Sequence, residues 1–146
     1  MEKIQLNHEE LQKLTMIRDP FLLVDEVVEM VSGEYIIGKF YVRSDLPVFK
    51  GHFPGDPTLP GIYILEAANQ LGAIATFAME EYKDKLGLLL GINRARFYKK
   101  VRPGDTLETH CSISNIRRDK DIITLANKMY VNGELVAESE TVNAMR

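Results

Sequence analysis

The longest apolar stretch of the chain predicts a single buried helix. From Ile62 to Tyr82, nearly every position up to Met79 is apolar or small, and no polar stripe runs along one face. A helix that is apolar on all sides is typically buried, and small residues such as Ala67 and Gly72 allow a sheet to pack closely against it. We therefore expect a long central helix that ends near Tyr82.

Strand patterns flank this helix on both sides. Six segments are rich in β-branched and aromatic residues or alternate between polar and apolar positions. They span residues 21–31, 34–42, 86–97, 106–116, 122–131 and 134–142. Asn132-Gly133 predicts a tight hairpin between the last two, and the run Leu88-Leu89-Leu90 predicts burial on both faces of the third. One helix and about six strands, the last four consecutive, predict an α+β fold whose antiparallel sheet curls around the helix.

An irregular, proline-rich passage from Arg43 to Leu59 leads into the helix. Pro54, Pro57 and Pro60 lie within seven positions. Each proline fixes φ and removes a backbone donor, so this loop has few conformations to lose on folding. A long segment without regular structure inside a small domain is usually functional. The passage delivers one histidine, His52, to the start of the apolar helix.

The predicted helix carries a carboxylate, Glu66, within its apolar surface. Gln70 follows four positions later, at a spacing where helical side chains meet. An ionised carboxylate is costly in such a place, so Glu66 should be hydrogen-bonded or protonated. Burial raises the pKa of a glutamate, which suits a proton donor at neutral pH. A purely structural glutamate bonded to Gln70 explains these residues equally well.

The loop and the helix together resemble a known family signature. The loop reads Gly-His-Phe-Pro-Gly-Asp-Pro-Thr-Leu-Pro-Gly over residues 51–61, and Glu-Ala-x-x-Gln follows over residues 66–70. This pattern resembles the 3-hydroxyacyl-(acyl carrier protein) dehydratases of fatty-acid synthesis, which have the hotdog fold. His52 and Glu66 lie 66 − 52 = 14 positions apart, the separation that this family uses. Residues 20–25 and 96–105 also resemble its flanking motifs, so the resemblance spans most of the chain.

The resemblance implies the elimination of water from a (3R)-3-hydroxyacyl thioester to give the trans-2-enoyl thioester. Such a reaction needs a base for the C2 proton, an acid for the leaving hydroxyl, and donors for charge on the carbonyl oxygen. We expect His52 as the base, Glu66 as the acid oriented by Gln70, and the amide of Gly61 as the carbonyl donor. A scheme in which His52 moves both protons remains open.

The resemblance also implies partners. His52 of one subunit is expected to face the glutamate of a second subunit, so that a homodimer is the catalytic unit, and family members commonly form trimers of dimers. The substrate is expected on the phosphopantetheine arm of an acidic acyl carrier protein. A basic run suits docking of such a carrier by charge complementarity, although ordinary solvated strand edges would look the same. That run consists of Arg94, Arg96, Lys99, Lys100 and Arg102.

Length, charge and composition limit the classes of protein to which the chain could belong. The chain has 146 residues, enough for one domain over 1–146, and a net charge of −3, which argues against nucleic-acid binding. A polar N-terminus, the lack of a membrane-length apolar run and a single cysteine favour a cytoplasmic protein. Histidines 8, 52 and 110 do not form a zinc ligand set, so we expect no metal and no cofactor. His110 and Cys111 are neighbours in a predicted strand and therefore point to opposite faces.

Two departures from the family pattern leave questions open. Residues 16–20 lack the usual histidine and tyrosine, and Asn69 stands where a small residue is usual. They leave open the acyl-chain length and the pathway, which could be primary fatty-acid synthesis or a specialised polyketide-like one. Two rival classes also remain: a hotdog acyl thioesterase, which would not need the histidine loop, and a non-catalytic acyl-binding homologue.

Overall fold

An antiparallel sheet wrapped around one long helix forms the framework of the protein, in a computed structural model that describes residues 2–146. The strands are β1 (Ile4–Leu6), β2 (Glu26–Val31), β3 (Tyr35–Tyr41), β4 (Gly87–Phe97), β5 (Thr106–Arg117), β6 (Ile122–Val131) and β7 (Glu134–Met145). The helices are α1 (His8–Leu11) and α2 (Gly61–Phe77), with single 3₁₀ turns at Pro47–Lys50 and Glu80–Tyr82. The predicted α+β class and hotdog arrangement are confirmed.

The sheet has seven strands in the order β1-β2-β3-β5-β6-β7-β4, rather than about six. The additional strand is β1, which has three residues and pairs with β2. A strand this short carries too few positions for an alternating pattern to show in the sequence. β1 and β4 are the two edges of the sheet, and all pairings are antiparallel.

The predicted hairpin between β6 and β7 is confirmed by its turn. Asn132 and Gly133 have φ values of 51° and 77°. Positive φ at both central residues is the geometry that matches the twist of two paired strands, and asparagine and glycine tolerate it best. β6 and β7 are therefore antiparallel neighbours in the sheet, joined by a two-residue turn.

α2 lies very close to the sheet because two glycines leave room for it. A Cβ on Gly38 of β3 would come within 2.4 Å of Leu71 of the helix. A Cβ on Gly72 of the helix would come within 2.4 Å of Leu125 of β6. The helix ends at Phe77 rather than near Tyr82, where the chain has continued into a 3₁₀ turn. Met79 and Tyr82 are apolar although they lie beyond the helix, because both side chains pack into the core.

The prediction that Leu88, Leu89 and Leu90 are buried on both faces is wrong for the single chain. Their exposed fractions are 52%, 47% and 55%. The reason is the position of β4, which pairs with β7 on one side only and forms an edge of the sheet. An apolar edge strand that remains exposed invites pairing with another chain.

Within residues 2–146, no helix combines the length and the apolar character needed to cross a membrane.

Candidate active site

His52 lies in the proline-rich loop with one ring nitrogen already occupied. Its Nδ1 lies 2.8 Å from the carbonyl oxygen of Thr58. A carbonyl can only accept, so Nδ1 carries the proton and Nε2 of the neutral ring is left as an acceptor. The ring stacks on Phe53 with 4.0 Å between centroids. His52 is thus held in the tautomer that a base requires at Nε2. Thr58 was not predictable from the sequence, because it contributes a backbone carbonyl rather than a side chain.

The loop around His52 is tied down by its own backbone and by one neighbouring segment. Thr58 N–H donates to the His52 carbonyl, and Leu59 N–H donates to the Val101 carbonyl at 2.8 Å. The guanidinium of Arg102 donates to the Asp56 carboxylate at 3.0 Å. These contacts join the His52 loop to the segment after β4, and they place the imidazole beside the first turn of α2.

Glu66 lies in the middle of α2, and its predicted contact with Gln70 is present. Gln70 Nε2 donates to the Glu66 carboxylate at 3.0 Å and to the Phe21 carbonyl at 2.8 Å. Gln70 Oε1 accepts from the Leu23 N–H at 2.8 Å. Because the backbone occupies both ends of this buried amide, its NH₂ group is directed at Glu66. The Glu66 carboxylate therefore accepts a hydrogen bond from a side chain whose orientation the backbone holds in place.

The environment of Glu66 favours its neutral form. Burial raises the pKa of this carboxyl above its ordinary value, and the hydrogen bond from Gln70 lowers it by a smaller amount. The carboxyl lines a cavity of about 150 Å³ between α2, the start of β4 and residues 15–17. A carboxyl whose protonated form is stabilised beside a cavity has the properties of a general acid.

A second polar group lines the same cavity and was not predicted. Asn69 Nδ2 donates to Asn143 Oδ1 at 2.9 Å, and Asn143 Nδ2 donates back to Asn69 Oδ1 at 3.0 Å. The Thr141 hydroxyl also donates to Asn69 Oδ1, at 2.8 Å. Asn143 and Thr141 are buried on β7. The unusual Asn69 was visible in the sequence, but its partners lie more than seventy positions away.

Gly61 begins α2, next to the His52 loop. The first N–H groups of a helix have no partner within it and form the positive end of its dipole. A Cβ on Gly61 would lie 3.2 Å from the Phe97 ring, so a larger residue would crowd this end of the helix. His52, Gly61 and Phe97 line one open groove of about 310 Å³. The groove thus places a base and free backbone donors side by side.

His52 and Glu66 do not line a common cavity within one chain. The groove of His52 lies at the C-terminal end of β4, with Phe97 and Tyr98 in its wall. The cavity of Glu66 lies at the N-terminal end of the same strand, with Gly87 and Leu89 in its wall. A single chain therefore carries two half-sites, one at each end of its edge strand.

The basic run after β4 is partly neutralised. Lys99 pairs with Glu134, and Arg102 pairs with Asp56. Arg94 and Arg96 lie opposite Glu140 and Glu138 in the register of β4 with β7. Among the described residues, Lys100 has no ion-pair partner, and it lines the groove of His52. The run is therefore less positive than its sequence suggested.

His110 and Cys111 point to opposite faces of β5, as predicted. Cys111 is buried, which raises the pKa of its thiol to about 12, whereas His110 pairs with Glu108 at the surface.

In the part of the chain that the structure describes, no three His, Cys, Asp or Glu side chains are grouped closely enough to hold a metal ion.

The chain matches a known class of protein. The FabA-like domain matches residues 16–140 of the chain, which therefore belongs to the FabA-like family. Its relatives include enzymes named 3-hydroxyacyl-[acyl-carrier-protein] dehydratase FabZ. The chain is 41% identical to the one from Thermomicrobium roseum, over 93% of this chain and 90% of the relative. It is also 41% identical to the one from Clostridioides difficile, over 96% and 97%.

Solved structures support the fold. The dehydratase heterocomplex ApeI:P from Xenorhabdus doucetiae superposes with a TM-score of 0.76 at 19% identity, covering 93% of this chain and 90% of that one. A hypothetical thioesterase from Streptococcus pneumoniae, solved with coenzyme A, superposes with a TM-score of 0.64 at 11% identity, covering 82% and 84%. At these identities the likeness concerns the fold alone, so the thioesterase is no argument for hydrolysis.

Proposed function

We propose that this protein is a 3-hydroxyacyl-[acyl carrier protein] dehydratase, a lyase of fatty-acid biosynthesis. The observation that carries the proposal is the pair of half-sites: an imidazole with Nε2 free and a carboxyl whose raised pKa favours the protonated form. The relatives at 41% identity are named for this reaction. A thioesterase would not need the histidine loop, and a non-catalytic acyl-binding protein would gain little stability from burying a carboxylate.

The proposed reaction uses only these groups and proceeds in two proton movements. His52 Nε2 removes a proton from C2, and the electron pair moves toward the thioester carbonyl oxygen, which the Gly61 N–H stabilises. The C2–C3 double bond then forms as the C3–O bond breaks, and Glu66 supplies the proton that turns the leaving hydroxide into water. Afterwards His52 holds one extra proton and Glu66 lacks one, so a proton transfer between them restores the enzyme. No metal or cofactor takes part in this scheme.

The two half-sites would be joined by a second copy of the chain. Two edge strands related by a twofold axis pair antiparallel, so the C-terminal end of one β4 lies beside the N-terminal end of the other. Because His52 and Glu66 lie at opposite ends of β4, this pairing brings the His52 groove of one subunit to the Glu66 cavity of its partner. The exposed Leu88 and Leu90 would be covered at the same time. Assembly into trimers of such dimers stays a prediction.

A mixing experiment tests residue roles and the shared site together. His52→Ala and Glu66→Gln proteins should each lose activity by about 10²–10⁴-fold, the usual scale of acid–base catalysis. Unfolding and refolding an equal mixture of the two should restore about a quarter of the wild-type rate, because half of the randomly formed dimers then contain one intact site out of two. The measurement is formation of the enoyl thioester from a 3-hydroxyacyl thioester.

Each variant refolded alone is the control and should stay inactive. A mixture that remains as inactive as its components would exclude a site shared between subunits. A wild-type rate in either single variant would remove that residue from the mechanism, and hydrolysis of the thioester in place of dehydration would favour the thioesterase.

Delivery of the substrate on the phosphopantetheine of an acyl carrier protein is part of the same proposal. The support is the position of Lys99 and Lys100 in the wall of the His52 groove, where a carrier would approach. Location in the cytoplasm, and primary rather than specialised fatty-acid metabolism, also stay predictions.

A further inference from the structure

We propose that the amide pair of Asn69 and Asn143 determines specificity and restricts the enzyme to short acyl chains. The inference rests on the proposed function and concerns what the Glu66 cavity accepts. Its basis is the position of the pair: both side chains line this cavity, and Asn69 lies three positions after Glu66 on α2. At that spacing the two side chains are neighbours on one face of the helix.

The pair is a cyclic one, with a donor and an acceptor from each side chain. Each amide donates one N–H to the other and accepts one in return, and Thr141 adds a third donor to Asn69 Oδ1. Every amide nitrogen carries two N–H groups. The described residues supply no acceptor for the second N–H of either asparagine. Each of these two asparagines of the cavity wall thus keeps one N–H that no described residue accepts.

An acyl chain that extends beyond Glu66 has to pass this pair. Beyond Glu66, Asn69 and Gln70, the remaining residues of α2 in the wall are Ala73 and Phe77, so Asn69 lies between the carboxyl and these two apolar side chains along the helix. Methylene groups laid over the amides would remove their water and offer no acceptor in exchange. Leaving a buried donor unsatisfied is costly, whereas a chain that stops before the pair leaves both amides hydrated.

The test compares four-carbon and ten-carbon 3-hydroxyacyl pantetheine thioesters. For the wild type, kcat/KM should be at least about tenfold higher with the short substrate, the discrimination expected from one unsatisfied buried donor. The double variant Asn69→Ala/Asn143→Val removes both amides, so that neither is left unpaired. It should lower the short-to-long ratio by about tenfold, chiefly through a higher kcat/KM for the long substrate.

A matched pair elsewhere in the sheet provides the control. Asn127 donates to the Ser139 hydroxyl at 3.1 Å, and both side chains are buried and absent from the wall of the Glu66 cavity. Asn127→Val/Ser139→Ala should change stability but leave the short-to-long ratio as in the wild type. If the first double variant does not fold, Asn69→Ser keeps a hydroxyl for Thr141 and Asn143 and allows the same comparison.

The outcomes separate the inference from the proposed function. A wild-type protein that dehydrates both substrates with equal kcat/KM, or a ratio that the folded Asn69 variants leave unchanged, would overturn the role of the pair while leaving the dehydratase intact. A folded wild type that dehydrates neither substrate would overturn the proposed function itself.

Discussion

Two features of its surroundings shift the pKa of Glu66 in opposite directions. Burial raises the pKa of its carboxyl, and the N–H of Gln70 lowers it by less. Gln70 cannot turn away, because the Phe21 carbonyl and the Leu23 N–H hold its amide from the other side. The glutamine thus fixes where the carboxyl lies without cancelling the effect of burial. Orientation and protonation of the proposed acid are set by different parts of its surroundings.

The raised pKa makes stability depend on pH in a defined direction. A group whose pKa is higher in the folded than in the unfolded state stabilises the fold at low pH, and this contribution is lost as pH rises through the folded-state value. Below the ordinary glutamate value, near pH 4.5, wild type and Glu66→Gln should differ little. As pH rises through the raised value, the wild type should become less stable relative to the variant.

Urea unfolding at a series of pH values, at one fixed protein concentration, measures this difference. Glu2→Gln is a suitable control, because this side chain is exposed to solvent before β1, and its difference from wild type should not follow the same course. A free-energy difference between wild type and Glu66→Gln that does not grow with pH would show that burial does not penalise the ionised carboxyl.

At the scale of elements, α2 connects the two half-sites. Its N-terminus faces the His52 groove, and its middle carries Glu66 into the other cavity. Pro60 precedes the helix as its N-cap, and Gly61 opens it. The Phe97 ring lies against Gly61: a Cβ at this position would be 3.2 Å from the ring, so the ring would have to shift slightly. The start of the helix is therefore shaped by the end of β4.

Gly61→Ala should lower activity more than stability. The new Cβ, 3.2 Å from the Phe97 ring, has to displace that ring within the groove. The higher helix propensity of alanine, worth up to about 1 kcal/mol, offsets part of the cost of this displacement. We expect a fall in kcat/KM of about tenfold or more, with a change in the free energy of unfolding of about 1 kcal/mol or less.

Steady-state kinetics gives kcat/KM, and urea unfolding of the same preparations gives the free energy of unfolding. Gly51→Ala is the matched control, because nothing lies within 4 Å of a Cβ at that position. Unchanged kinetics in Gly61→Ala would argue that the helix start is not where the thioester carbonyl binds.

At the scale of the whole molecule, charge is unevenly distributed. The chain is acidic, with a net charge of −3, yet the groove of His52 has Lys99 and Lys100 in its wall. Lys99 is paired with Glu134, while Lys100 has no ion-pair partner among the described residues. An acidic partner arriving at this groove would meet Lys100 first, and a rim charge acts mainly on the rate of association.

Lys100→Glu should therefore distinguish substrates by their carrier. With a 3-hydroxyacyl chain on an acyl carrier protein, we expect kcat/KM to fall by about tenfold at low ionic strength and by less at high salt. With the same chain on pantetheine, kcat/KM should stay near the wild-type value. Lys128→Glu, on β6 and outside the groove, is the control. Equal effects on both substrates would refute carrier docking at Lys100.

The site was predictable from the sequence to the extent that its residues are close in the chain. The loop of His52, the start of the helix at Gly61 and the pair Glu66 and Gln70 lie within twenty positions, and prolines, glycines and helical spacing constrain them locally. The resemblance to a family assigned their roles. The shielding of Glu66 also followed from its apolar helix, and the raised pKa agrees with it.

Contacts between distant segments were decided by the tertiary structure alone. The Thr58 carbonyl that sets the tautomer of His52 has no side-chain signature, and Asn143 reaches Asn69 only because β7 passes beneath the helix. The tertiary structure also pairs Lys99 with Glu134 of β7 and places Arg94 and Arg96 opposite glutamates of that strand, which no local pattern showed.

By itself, the sequence determined the class of fold and the central helix, because periodicity and backbone restrictions act over short distances. It also singled out His52 and Glu66 as candidates for the site. The tertiary structure decided that Leu88 to Leu90 lie on an open edge and that His52 and Glu66 occupy opposite ends of β4. Strand order depends on pairings between segments far apart in the chain, and hydrophobic pattern alone does not specify which strand remains at the edge.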